Sequence, residues 1–163
     1  MKRAINRRGA IKIVAASTGI CLAGQTICRG FGSPNEKLNV ALIGIGGQGE
    51  SNLRGVSSQN IVALCDVDKK RAARSFGQFP KAAKFSDYRV MFDKMEKDID
   101  AVVVSTPDHT HFNPSMIAMS LGKHLYCEKP MAHNVWQVRK MTELAAKNNL
   151  ATQLGVQRHT IGN

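Results

Sequence analysis

The sequence predicts an α/β domain built on a doubly wound parallel sheet, and three observations point to this fold. From residue 38 onward, short apolar runs alternate with segments of helical periodicity. Residues 102–104 are three consecutive valines, which is typical of a parallel strand buried on both faces. The glycine-rich string GIGGQG, residues 44–49, directly follows the first apolar run. We therefore expect the strand order 3-2-1-4-5-6 that is common in such sheets.

The strands are predicted from short apolar runs, most of them rich in β-branched residues. They are residues 38–43 (LNVALI), 60–65 (NIVALC), 101–105 (AVVVS), 124–127 (HLYC) and 151–156 (ATQLGV). In the expected order these are strands one, two, four, five and six. The third strand is expected between the second and the fourth, without an assigned segment.

Four of the predicted helices have a recognisable start or end. Asp68 and Ser86 are placed to cap two of them through their side-chain oxygens. Gly122 is placed to end the third, since glycine readily adopts the left-handed conformation that closes many helices. Asn134 is placed to cap the last helix, which ends at residues 148–149.

The first 36 residues are expected to be an export signal and linker. Residues 6–12 (NRRGAIK) resemble a twin-arginine signal, and a weakly apolar run follows over residues 10–27. This predicts a periplasmic protein; the alternative is a disordered basic tail. The run is too polar for a stable membrane anchor. We expect the folded domain at residues 37–157, and residues 158–163 to begin a C-terminal substrate domain that is absent from this chain.

The formal net charge of +11 raises the question of a nucleic-acid partner. Residues 1–36 hold six Lys and Arg against one acidic residue, so much of the excess lies in the leader. The other basic residues are scattered through predicted helices without interleaved aromatic residues. We therefore expect a solvated basic surface and no nucleic-acid binding.

Cys65 and Cys127 are predicted to be buried free thiols. They end the second and fifth strands, which lie about 14 Å apart at the usual strand spacing. A disulfide needs Cα atoms within about 7 Å. The other two cysteines, Cys21 and Cys28, lie in the leader.

The string at residues 44–49 has the G-x-G-x-x-G spacing of a dinucleotide-binding turn between a strand and a helix. Gly44 permits the tight turn, Gly46 lets a pyrophosphate approach the backbone, and Gly49 allows the helix to pack closely on the strand. The helix N-terminus favours the anion. The predicted cofactor-binding residues here are Gly44, Ile45, Gly46, Gly47, Gln48 and Gly49.

Asp66 strengthens this prediction. It stands at the end of the second strand, about twenty residues beyond the glycine string, where dinucleotide-binding domains have a carboxylate that accepts hydrogen bonds from the adenosine ribose hydroxyls. Asp66 would repel a 2′-phosphate, so NAD is favoured as the cofactor. Lys69, Lys70 and Arg71 follow closely and keep NADP as the alternative.

Two further polar clusters follow the fourth and fifth strands, at the edge where open α/β sheets bind ligands. They are residues 105–111 (STPDHTH) and 127–130 (CEKP). His109 and His111 have no partner at a familiar metal-ligand spacing, so no metal is expected. Lys129 is a candidate donor to a substrate hydroxyl or carbonyl; the alternative is an ordinary surface turn.

The strings GIGGQG, TPDHTH and EKP, in this order and context, resemble the Gfo/Idh/MocA family of oxidoreductases over residues 38 to about 157. The resemblance implies a Rossmann domain in which Thr106, Pro107, Asp108 and His111 line the nicotinamide and its ribose. Asp108 stands where many members have Asn. Glu128 and Lys129 match the EKP pair, with Lys129 as the catalytic residue that meets both cofactor and substrate. The Lys129–Pro130 bond is expected to be cis.

The resemblance also implies hydride transfer between a nicotinamide and the hydroxyl of a sugar or cyclitol, a small sugar-like substrate. The family's acid/base His, from a D-x-x-x-H pattern, belongs to a C-terminal domain through which members often form homo-oligomers. The chain stops at Asn163, so we expect it to bind cofactor and turn over little. The alternatives are NAD-dependent glycoside hydrolysis and a non-catalytic dinucleotide-binding remnant.

Overall fold

The computed structural model describes residues 37–156, which form a six-stranded parallel sheet in the order β3-β2-β1-β4-β5-β6. The strands are β1 (Asn39–Ile43), β2 (Asn60–Cys65), β3 (Ala83–Phe85), β4 (Ala101–Val104), β5 (His124–Glu128) and β6 (Thr152–Gly155). The predicted fold class and strand order are confirmed. The predicted leader with Cys21 and Cys28, and the predicted start of a further domain at residues 158–163, lie outside the described residues.

Five α-helices connect these strands within residues 37–156. They are α1 (Gln48–Gly55), α2 (Ala73–Gln78), α3 (Tyr88–Met95), α4 (Phe112–Ser120) and α5 (Val135–Lys147). Short 3₁₀ turns lie at Glu96–Asp98 and Asp108–Thr110. In this part of the chain no helix has the length and apolar character needed to cross a membrane.

The sheet is covered on both faces, because alternate strand residues enter two different cores. Val40 and Leu42 of β1 belong to one core, together with Leu53 of α1. Ala41 and Ile43 belong to the other core. That second core contains buried residues of α3, α4 and α5: Met91, Phe92, Ala118, Met119 and Met141. This alternation makes the sheet doubly wound.

The third strand is the element without a predicted segment. Ala83–Phe85 has only three residues and pairs with the end of β2 in parallel. Lys84, at its centre, is exposed. A three-residue edge strand leaves too short a pattern to be recognised without its neighbour.

Two predicted helix caps are wrong. Helix α3 begins after Asp87 rather than Ser86, and the Asp87 side chain accepts a hydrogen bond from the Arg89 backbone N–H at 2.9 Å. Asp68 accepts two backbone N–H bonds at 3.0 Å, but in the turn that precedes α2. Short polar side chains close turns as readily as helices, which explains both errors.

The predicted ends of the last two long helices are confirmed. Asn134 caps α5 by accepting a hydrogen bond from the Gln137 backbone N–H at 3.0 Å. Gly122, with φ +74°, follows α4 in the left-handed conformation, and Asn149, with φ +51°, does the same after α5. Each turn returns two backbone N–H groups to carbonyl oxygens of its helix.

Both cysteines of the described domain are free and buried, as predicted. Cys65 ends β2 and Cys127 lies in β5, three positions away in the sheet. Burial, with the nearby Asp66 and Asp87 carboxylates, raises the pKa of Cys65 to about 12. Burial likewise raises the pKa of Cys127 to about 11. Both thiols are therefore protonated at neutral pH.

Candidate functional site

The glycine loop joins β1 to α1 at the carboxyl edge of the sheet. Gly44 has φ +78°, and a Cβ there would lie 2.7 Å from the Ser105 carbonyl carbon. A Cβ on Gly49 would collide with the Gly44 carbonyl oxygen, so only glycine lets α1 approach β1 this closely. The structural reasons for these two glycines are confirmed.

Asp66 supports the glycine loop directly. One carboxylate oxygen accepts the Ile45 backbone N–H at 2.9 Å, and the other accepts the Asp68 backbone N–H at 2.9 Å. The Ile45 side chain is fully buried in the core, so only its backbone faces this edge. A carboxylate has further lone pairs, so Asp66 can hold the loop and still accept hydrogen bonds from a ligand.

A cavity of about 520 Å³ opens at this edge, where β1 and β4 are neighbours. Its walls come from the ends of β1, β2 and β4, from the turns that follow β1, β2, β3 and β4, and from the first residues of α1, α3 and α4. They are Ile43, Gly44, Gly46, Gln48, Cys65, Asp66, Val67, Asp68, Arg71, Ser86, Tyr88, Ser105, Thr106, Pro107, Thr110 and Pro114. The sheet therefore brings the glycine loop, Asp66, Thr106 and Pro107 together around one volume.

The remaining predicted site residues lie outside these walls. They are Ile45, Gly47, Gly49, Asp108, His111, Glu128 and Lys129. Asp108 is exposed and begins the 3₁₀ turn after β4. Lys129 is exposed directly after β5, and no carboxylate among residues 37–156 forms an ion pair with it. The Lys129–Pro130 peptide bond is cis, as the resemblance implies.

The Thr106 hydroxyl is the one buried side-chain oxygen or nitrogen of the described residues that lacks a hydrogen-bond partner. It lies at the end of β4 and belongs to the cavity wall. Buried polar groups are rarely left without a partner, and such a group often marks a ligand position. This hydroxyl can meet a polar group bound in the cavity.

The His111 side chain is buried between two backbone segments. The residue is only 1% exposed, its Nδ1 lies 2.6 Å from the Pro130 carbonyl oxygen, and its Nε2 lies 2.7 Å from the Thr106 carbonyl oxygen. Both ring nitrogens face backbone carbonyl oxygens, so neither is left to bond a ligand. His111 instead joins the loop after β4 to the turn after β5.

Glu128 is also buried, at 4% exposure. Its carboxylate accepts hydrogen bonds from the Asn52 side-chain amide at 2.9 Å and the Tyr126 hydroxyl at 3.2 Å. A further bond comes from the Lys129 backbone N–H at 3.3 Å. Glu128 therefore fixes the turn that presents Lys129.

Asn52 is the functional residue that sequence reasoning missed. Its side-chain N–H groups donate to Ser105 Oγ at 2.8 Å and to Glu128, and its oxygen accepts from Gln48 at 3.3 Å. One amide thus connects α1 with the carboxyl ends of β4 and β5. Its only sequence signal is the spacing of four from Gln48, which places both on one face of a helix.

The described residues contain no group of three or more His, Cys, Asp or Glu side chains placed to hold a metal ion. They do fit a dinucleotide, for two reasons. The Thr106 hydroxyl lacks a partner in the cavity. The absence of a Cβ on Gly46 lets the Arg71 side chain lie against the glycine loop, where its charge can meet a phosphate.

Comparison with known proteins agrees with this geometry. The Gfo/Idh/MocA family, described as an oxidoreductase family with an NAD-binding Rossmann fold, matches residues 38–156. The chain belongs to this family. The chain spans between 29% and 37% of the length of the curated relatives that it matches. Inositol 2-dehydrogenase from Salmonella paratyphi B is 28% identical over 127 residues, 74% of this chain and 37% of that protein.

Two other similarities broaden the picture of the family. A glycosyl hydrolase family 109 protein from Solibacter usitatus is 31% identical over 130 residues, 71% of this chain and 30% of that protein. The crystal structure of myo-inositol 2-dehydrogenase from Lactobacillus plantarum superimposes with a TM-score of 0.69 at 25% identity, covering 77% of this chain and 38% of the other. The predicted family and its Rossmann fold are confirmed.

Proposed function

We propose that the described domain binds NAD in the cavity at the carboxyl edge of the sheet. The observation that carries this proposal is the partnerless Thr106 hydroxyl, which lies in the same cavity as the glycine loop and Asp66. The adenosine ribose would meet Asp66, the diphosphate would meet the loop, and the nicotinamide end would lie near Thr106 and Pro107.

We further propose that the whole protein is an oxidoreductase acting on a hydroxyl of a sugar or cyclitol. The bound nicotinamide supplies hydride acceptance and donation. Lys129 is exposed beside the buried Glu128, so its ammonium is free to donate a hydrogen bond to the substrate oxygen and to favour its loss of a proton. The similarity to inositol 2-dehydrogenase supports this substrate class. We also propose that the whole protein forms homo-oligomers through a substrate domain.

Calorimetric titration of the 163-residue chain with NAD tests the cofactor proposal. Thr106→Val should weaken NAD binding on the order of tenfold, because the bound cofactor then loses one hydrogen bond in a buried site. Thr142→Val, on the exposed face of α5, is the matched control and should leave binding unchanged. Absence of NAD binding by the unmodified chain would refute the proposal.

The choice between NAD and NADP rests on the Asp66 charge. Asp66→Asn keeps a side-chain oxygen for the Ile45 N–H and removes the negative charge, so NADP affinity should rise relative to NAD. Asp93→Asn, an exposed position on α3, is the control. An unchanged ratio of the two affinities would mean that Asp66 does not select the cofactor.

A second candidate for the whole protein is NAD-dependent glycoside hydrolysis, which the similarity to the glycosyl hydrolase family 109 protein favours. Assays of the complete protein with an inositol and with a nitrophenyl glycoside, each with NAD, separate the two activities. A non-catalytic dinucleotide-binding protein is the third possibility. In-frame coding sequence beyond codon 163 that leads to a D-x-x-x-H motif would favour an enzyme, and a stop codon would favour the binding protein.

We also propose that the protein is exported to the periplasm by the twin-arginine route. The support is the paired Arg7 and Arg8 ahead of the weakly apolar run at residues 10–27. Fusion of residues 1–36 to a reporter that acts only in the periplasm tests this. Replacement of both arginines by lysine should abolish export, and unchanged export would refute the route.

A further inference from the structure

The Arg71 side chain lies across the glycine loop. Its Cγ and Nε atoms lie 2.7 and 3.1 Å from the point that a Cβ on Gly46 would occupy. A terminal guanidinium nitrogen lies 2.6 Å from the corresponding point on Gly47. The missing side chains of two adjacent glycines therefore leave a channel that the arginine stem follows, with its charged end at Gly47.

Gly47 is the residue that precedes α1, and no side chain caps the start of that helix. The guanidinium thus adds a positive charge at the positive end of the helix dipole, where the first backbone N–H groups point outward. Two positive groups beside each other are stabilised by an anion between them. Both lie at the cavity, since Arg71 and Gln48, the first residue of α1, belong to its wall.

The neighbouring carboxylates bond to groups other than the Arg71 guanidinium. Asp66 accepts two backbone N–H groups, and Asp68 accepts those of Lys70 and Arg71 itself. Glu50 forms ion pairs with Arg54 at 3.1 Å and with Arg74 at 3.4 Å. Within residues 37–156, no carboxylate lies within ion-pair distance of the Arg71 guanidinium. The turn after β2 therefore holds, at the glycine loop, an exposed cation that no carboxylate of the described residues pairs with.

We infer that Arg71 is a ligand of the dinucleotide's diphosphate: its side chain moves outward from Gly46 and Gly47 when the diphosphate binds to the glycine loop, and its guanidinium then contacts the diphosphate from the solvent side. This inference rests on the proposed NAD site. The backbone N–H groups of α1 contact one side of the diphosphate, and the planar guanidinium contacts its oxygens from the other. Arg71 thereby distinguishes a dinucleotide from a nucleoside, because it contributes only when the phosphates are present.

The test compares ADP-ribose and adenosine as ligands of the 163-residue chain, by calorimetry and ligand-detected NMR respectively. Arg71→Ala should weaken ADP-ribose and NAD on the order of tenfold or more, since a charge-assisted contact is lost. Adenosine binding should change less than twofold. Arg71→Lys should recover part of the loss, because it keeps the charge without the fork geometry. Arg74→Ala, an exposed arginine three residues away, is the matched control and should leave both ligands unaffected.

Several outcomes would overturn the inference while leaving the proposed function intact. Unchanged or tighter ADP-ribose binding by Arg71→Ala would mean that the side chain merely covers the loop. Equal weakening of adenosine and ADP-ribose would place Arg71 on the base or ribose. A loss confined to NADP would place it on the 2′-phosphate. Failure of the unmodified chain to bind any of these ligands would instead refute the NAD site itself.

Discussion

Replacing His111 with phenylalanine tests how the two polar loops at the carboxyl edge are held together. Phenylalanine keeps a planar, somewhat larger ring at this position but has no donor for the carbonyl oxygens of Thr106 and Pro130, which lie 2.7 and 2.6 Å from the ring nitrogens. A neutral imidazole donates to one of these oxygens and a protonated ring to both. The substitution therefore removes one or two hydrogen bonds and adds a little ring volume, and both changes destabilise a buried site.

The expected cost follows from these contacts. A hydrogen bond contributes about 1 kcal/mol net, and a buried carbonyl left without a donor costs about 1–3 kcal/mol. Pro130 is an exposed residue, so its carbonyl can recover some hydration and the lower part of that range applies. We expect the free energy of unfolding to fall by about 1–3 kcal/mol, which corresponds to a decrease in Tm of roughly 4–12 °C for a domain of this size.

Urea unfolding followed by circular dichroism measures this loss, and His109→Phe is the matched control. His109 lies two residues away, is exposed and has no hydrogen bond among the described contacts of its side chain. Its replacement should change the unfolding free energy by less than about 0.5 kcal/mol. If His111→Phe were as stable as the unmodified chain, the ring would not tie the two loops together and the reasoning from its contacts would be refuted.

Three more predictions concern the glycines of α1, the hydrogen bonds of Asn52 and the two buried thiols. Gly49→Ala should destabilise the domain by more than about 3 kcal/mol, because the new Cβ collides with the Gly44 carbonyl oxygen. Gly55→Ala, in the same helix, meets open space and should stabilise the domain by about 0.5–1 kcal/mol. Equal effects of the two substitutions in urea unfolding would contradict the packing argument. Asn52→Leu removes two donated bonds, one of them to a carboxylate, and should cost about 2–3 kcal/mol by the same assay, against little change for the exposed Asn113→Leu. Burial raises the pKa of Cys65 to about 12 and of Cys127 to about 11 from an ordinary value of 9.0, so their stabilising effect is complete below pH 9 and is lost as pH rises toward 11–12. From pH 8 to pH 10, the free energy of unfolding should therefore fall less in a Cys65→Ala, Cys127→Ala double variant than in the unmodified chain. An identical fall in both proteins would count against buried, protonated thiols.

The parts of the fold that were predictable are those in which a local pattern has a single structural solution. The three consecutive valines of β4 are not interrupted by a polar residue, which fits a strand that is buried on both faces. Gly49 is required by a contact with Gly44, five residues earlier in the same loop, and Gly44 itself turns the chain with φ +78°. Asn134 and Gly122 mark helix ends by chemistry that needs no distant neighbour.

The missed features depend on contacts between distant segments. Strand β3 exists because β2 offers it an edge, and nothing within Ala83–Phe85 distinguishes it from a loop. The role of His111 depends on a carbonyl nineteen residues away, and that of Asn52 on a carboxylate seventy-six residues away. An isolated polar residue on a helix is ordinarily solvated, so its pairing is visible only once the strands are in register.

These long-range contacts explain how the glycine loop and the turn that contains Lys129 keep their relative position. Asn52 lies one helical turn beyond Gln48, at the start of the helix that receives the diphosphate in the proposed site, and its amide bonds Glu128, the neighbour of Lys129. His111 joins the cavity strand β4 to Pro130, on the other side of Lys129. The turn after β5, which contains Lys129, is thus held from both sides. The groups that hold it also bond to α1 and to the loop after β4. In the oxidoreductase proposed above, a disturbance of this network would shift the cofactor and Lys129 together, and hydride transfer depends on placement within fractions of an ångström.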